Sequence, residues 1–90
     1  MIDSEYALRI YVAVFHVEKD YGNADIQGIY DAIATLDERE QLALEYYYRD
    51  GHSYVHISRL LGLSRTMGSA IVKKALAKLK HPSRSKMMKF

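Results

Sequence analysis

Ninety residues without a cysteine, 49% of them hydrophobic and 27% charged, make one domain with a small core and exclude a disulfide framework and a thiolate metal site. No apolar run approaches the roughly twenty residues that a membrane span needs, and the acidic start Met1-Ile2-Asp3-Ser4-Glu5 is unlike a basic signal peptide, so a soluble, cytoplasmic protein is expected. The net charge of +2 conceals a division: Gly51 to Phe90 holds nine Lys and Arg and no acid, whereas Met1 to Asp50 holds eleven acids against Arg9, Lys19, Arg39 and Arg49.

A stretch with no acids favours a polyanion through counterion release, while the acidic half suits a basic protein partner. Mutual screening of the two halves is the competing reading. Along the chain, Ser4 to about Tyr21 reads as one long helix, with Tyr6, Ile10, Val14 and Val17 in one stripe and Leu8, Tyr11, Val12 and Phe15 widening it. So wide an apolar face either wraps the rest of the domain or offers part of itself to a second copy or another partner. Gly22-Asn23 ends it. A second helix is expected from about Asp25 to Thr35, with Ile26, Ile29, Tyr30 and Ile33 inward. Asp37 to Glu40 then forms a capping box that starts a third helix, faced by Leu42, Leu44, Tyr46, Tyr47 and Tyr48 and closed by Asp50-Gly51.

Ser53 to Lys80 reads as two helices broken at Gly62-Leu63-Ser64. Val55, Ile57, Leu60 and Leu61 face inward on the first. Gly62 takes the left-handed conformation that ends a helix, and Ser64 caps the second, whose Met67, Ile71, Ala75, Leu76 and Leu79 recur at helical spacing until His81-Pro82. This is the outline of a helix-turn-helix, with an ordinary helical hairpin as the alternative. Ser58, Leu61, Leu63 and Ile71 suit the motif, whereas Gly68 stands where a branched aliphatic residue is expected, at a cost of about 1 kcal/mol in helix propensity. The tail beyond Pro82 looks loosely structured, with a short sixth helix from Arg84 to Lys89 as an option. The expected fold is a single all-α domain of five helices: an extra N-terminal helix over residues 1–23, and a helix-turn-helix unit over 24–90.

No catalytic constellation is present. His52 and His56 are four apart, but Ser53 stands where a metalloprotease has its Glu and no acidic third ligand follows, so neither a metal nor a cofactor is expected. Tyr46-Tyr47-Tyr48 points in three directions on a helix and suits core packing better than base stacking. For duplex DNA, Arg65, Thr66, Ser69, Ala70 and Lys73 fall on the outward side of the second motif helix, while Lys74, Lys78, Lys80 and Arg84 suit phosphates. Ser64 and the free amides after it make a further phosphate site. Arg65 alone is a strong base reader, with Thr66 and Met67 giving weak contacts to thymine methyls.

Leu36-Asp37-Glu38-Arg39-Glu40, Ser53 to Arg65, and Lys74-Ala75-Leu76 through Lys78-Leu79-Lys80-His81-Pro82-Ser83-Arg84-Ser85 carry a resemblance. Over about residues 32–90 the chain resembles region 4 of the sigma-70 class of bacterial RNA polymerase initiation factors. The resemblance implies a DNA-binding helix-turn-helix and contact with the polymerase β flap. In that family the matching helix carries Arg, then Glu, and a Gln four residues after that Glu, which read the promoter's −35 element. Here Arg65 keeps the first, Thr66 and Ala70 replace the others, and the reading code is not retained. Ninety residues also have no room for the part of a sigma factor that binds the polymerase clamp and melts the −10 element. A free-standing sigma-like transcription regulator is therefore expected, binding DNA and polymerase core. The alternative is a protein-interaction module, of anti-sigma or co-activator type, with little DNA affinity.

Overall fold

The computed structural model describes residues 3–16 and 23–88. Asp3 opens the first helix, α1 (Ser4–Phe15), with its Oδ1 accepting the Tyr6 N–H at 3.0 Å. The Tyr30 hydroxyl accepts the Asp3 N–H at 3.0 Å and donates to the Asp3 carbonyl at 3.1 Å, which pins this end to the second helix, α2 (Asn23–Ala34). The expected helix to Tyr21 is too long. His16 turns left-handed at φ 58° and closes the last turn by donating its N–H to the Val12 carbonyl at 2.7 Å; the remainder of that expectation lies outside the described residues.

The capping box forms as expected, with Glu40 Oε1 accepting the Asp37 N–H at 3.1 Å, and it starts α3 (Glu38–Leu44). What the periodicity does not foresee is the continuation. Glu45–Arg49 winds as a π turn, extended by the His52 N–H donating to the Tyr46 carbonyl at 2.9 Å. The wider turn sets Tyr47 flat on Tyr54, ring centres 4.6 Å apart, and Tyr46 edge-on to His52. All three consecutive tyrosines are half-buried against the core, and Arg9 covers the end of the turn by donating to the Tyr48 carbonyl at 2.7 Å.

Three further helices complete the domain: α4 (Tyr54–Leu60), α5 (Met67–Lys80) and α6 (Pro82–Met88). The last corrects the loose tail: the sixth helix starts at Pro82, and Met88 is fully buried. In chain order α1 lies on α2, the π turn and α5; α3 and α4 both pack on α5; and α6 packs on α2 and α5. The centre holds Ile10, Ile29, Leu44, Ile57, Val72, Leu79 and Met88, so every helix but α3's first turn contributes to one core. Tyr6 is buried among them with no hydrogen-bond partner for its hydroxyl among the described residues, and burial pushes its phenol well above the ordinary value. Among the described residues no helix is long and apolar enough to cross a membrane.

The stacked pair gives a testable pH dependence. Its hydrogen bond with Tyr47, followed by burial and repulsion from the Tyr47 phenolate, pushes Tyr54 up to about 12 from an ordinary 10.0. A raised folded-state pKa means the fold holds the neutral phenol. This contribution is therefore complete below pH 10 and is lost as the pH climbs through the folded value. Denaturant midpoints followed across the alkaline range should fall less steeply in Tyr54→Phe than in the parent, and tyrosinate absorbance should show a smaller late step in the variant, Tyr6 still titrating late.

Candidate nucleic-acid interface

Ser53 caps α4, its hydroxyl accepting the His56 N–H at 3.2 Å. At the other end Gly62 is left-handed at φ 68°, as expected, with its N–H on the Arg59 carbonyl at 3.1 Å and the Leu63 N–H on the Ser58 carbonyl at 2.7 Å. Those two bonds are the pair that closes a Schellman turn, and they send the chain back across α4. The next helix starts later than expected. Ser64 is not its N-cap: the Ser64 carbonyl accepts the Met67 N–H at 3.0 Å in a tight turn, Thr66 precedes the helix without a capping bond, and α5 begins at Met67.

Capping is supplied from the neighbouring helix instead. The Ser58 hydroxyl, buried in the angle between the helices, accepts the Gly68 N–H at 2.7 Å and lies 3.1 Å from both the Tyr54 and Arg65 carbonyls. One side chain thus joins α4, the turn and α5. Gly68 is what permits it, since a Cβ there would run into the Tyr54 carbonyl and come within 2.5 Å of Ser58 Oγ. The residue that looks like a flaw in the motif is the point of closest approach between its two helices.

This approach rotates the buried side of α5 to Gly68, Val72, Ala75 and Leu79. Met67, expected inward, is 45% exposed. Val55 and Leu60 on α4, also expected inward, are 37% and 45% exposed, because so short a helix presents only Ile57 and Ser58 to α5. Ser64, Arg65, Thr66, Met67, Ala70, Lys73, Lys74 and Lys80 share the exposed side of the motif, and Ser69 is half-buried.

Two expected phosphate contacts are differently engaged. Lys78 Nζ lies 2.8 Å from Glu40 Oε1 and 3.7 Å from Asp37, a pairing that raises the lysine's pKa. Arg84 Nε donates to Thr35 Oγ1 at 2.8 Å and fastens α6 to the end of α2. Among the described residues the acidic and basic halves share ion pairs only through Lys78; the others, at Arg9 and Arg49, stay within the acidic half. Arg59, Arg65, Lys73, Lys74, Lys80 and Lys86 remain exposed.

A groove of about 400 Å³ runs between the start of α3 and the head of α5, with Leu63, Met67, Ala70 and Ile71 on one side and Asp37 and Glu38 on the other. Arg39 and Lys74 line it as well. Reasoning from the division of charge overlooks Arg39, because that residue belongs to the acidic half and only the packing of α3 on α5 carries it across. His52 and His56 stand edge to face with ring centres 4.5 Å apart, and the described residues contain no group of three or more potential metal-binding side chains.

Comparison with known proteins adds the following. The family described as Sigma-70, region 4 matches residues 32–81. A protein described as "Probable RNA polymerase sigma-C factor" from Synechocystis sp. (strain ATCC 27184 / PCC 6803 / Kazusa) is 47% identical over 52 residues. That match covers 56% of this chain and 13% of the relative, so the chain corresponds to a small part of the relative's length. No solved structure matches.

Proposed function

Since the chain belongs to the sigma-70 region 4 family, we propose that it is a free-standing transcription regulator of the cytoplasm that grips duplex DNA through α4 and α5 and contacts RNA polymerase core at the β flap. The observation that carries the DNA part is the cationic side of the motif. Arg65, Lys73, Lys74 and Lys80 are exposed along it, and among the described residues none of them is ion-paired with the acidic half. Such a surface binds phosphates with a strength set by released counterions, so affinity falls steeply with salt. Ser64 and Thr66 at the turn, with Ser69 on the flank, add hydroxyls that can position the backbone.

Sequence selection rests on few groups. Arg65 can hold guanine O6 and N7 together, and replacing it by Ala should cost about 1–3 kcal/mol on a preferred site and little elsewhere. Titration of labelled duplexes over a range of salt concentrations tests the whole reading. A steep slope on every duplex is expected; no binding to any duplex at low salt would leave the protein-interaction reading in its place. The apolar, acid-walled groove beside α5 is the feature that keeps this second reading open.

A further inference from the structure

The exposed side of α5 carries more carbon than a base-reading helix needs. Met67 is 45% exposed, Ala70 is exposed beside it, Leu63 and Ile71 form the adjoining wall of the groove, and the Thr66 methyl stands at the head of the helix. Hydrogen-bonding side chains are almost missing from this patch, while cations flank it at Arg65, Lys73 and Lys74. Across the groove Glu38 stands with Arg39, and Asp37 is paired with Lys78, so that wall carries little net charge, and a duplex whose backbone is held by the flanking cations lays the floor of its major groove on the patch. The apolar group that B-DNA displays in that groove is the C5-methyl of thymine.

We infer that Met67, Ala70 and Thr66 read C5-methylated pyrimidines, so that buried methyl groups supply selectivity at this helix beside its one strong hydrogen-bonding reader, Arg65. This rests on the DNA-binding reading and deepens it. Leaving such a methyl in water while Met67 is also hydrated wastes two apolar surfaces. Joining them gains about fourfold in affinity per buried methyl. The reader is tolerant, because a methionine side chain adapts its shape to the methyl it meets.

The test compares polymers that differ only in the methyl. Full-length protein is titrated with alternating poly(dA-dT) and with poly(dA-dU), then with poly(dG-dC) and its 5-methylcytosine counterpart, at one salt concentration. The methylated member of each pair should bind about fourfold tighter or more. Met67→Gln, an exposed substitution that keeps side-chain length, should shrink that difference while leaving the salt slope and the melting curve as they are. Equal binding within both pairs, or a preference undiminished in Met67→Gln, overturns the inference while the DNA-binding reading stands. Absence of binding to all four polymers sinks that reading and the inference together.

Discussion

Gly68→Ala should lower the stability of the domain by about 2–4 kcal/mol, against the gain of up to 1 kcal/mol that helix propensity alone would give. The added Cβ meets main chain, the Tyr54 carbonyl, on one side and the Ser58 hydroxyl on the other. A flexible side chain could swing aside; a helix backbone cannot. Separating α4 from α5 far enough to admit the methyl also stretches the 2.7 Å bond from the Gly68 N–H to Ser58, leaving a buried amide without its acceptor. In a domain of this size the loss amounts to a melting point lower by some 10–20 °C. Thermal unfolding of the two proteins settles it, and a melting point unchanged or raised would mean that the helices do not approach as described. Ser58→Ala is the companion measurement: it keeps the space and removes the acceptor, so a smaller loss of about 1–3 kcal/mol is expected.

Neutralising Lys73 and Lys80 together should flatten the dependence of log affinity on log salt by about two units on every duplex alike, since each phosphate contact given up removes about 0.9. Both lysines are exposed along α5. Lys78→Met on the same helix should behave in the opposite way, with the salt slope kept and the unfolding midpoint reduced. Its ammonium sits 2.8 Å from Glu40, whose carboxylate is buried and has one oxygen, Oε2, without a partner among the described residues. Removing the lysine strands that carboxylate. Filter binding at several salt concentrations, alongside denaturant unfolding, separates the two classes of lysine. Equal loss of slope in the Lys78 variant would show that its ion pair opens to reach phosphate.

The legible features are the local ones. Asp37 and Glu40 are three residues apart and cap one another through their own backbone, and Gly62 takes a turn conformation that glycine readily adopts, so spacing alone locates both. Met67 is harder, because an apolar residue at helical spacing fits either side of a helix until the partner's distance is known; with α4 packed close, the inward position passes to the smaller Gly68. Lys78 and Glu40 lie 38 positions apart in sequence, and no periodicity couples them. The π turn eludes any reading that assumes regular helical pitch, and Tyr46-Tyr47-Tyr48 signals aromatic packing without saying that the helix must widen to achieve it. Charge segregation picks out the cations exposed along α5 but hides Arg39, which lines the adjoining groove from the acidic half.

The contact at Gly68 also has a mechanical side. Where helices meet through side chains, rotamers and methyl groups give a little, and a push on one helix is partly absorbed before the other moves. At Gly68 the chain of α5 lies directly on the chain of α4, with a serine hydroxyl tied to both, so nothing soft lies between them. The pair acts as a stiff lever. A load on α5 is therefore felt in α4 at Tyr54, the residue whose carbonyl Gly68 lies against and whose ring is stacked on Tyr47 of the wide turn.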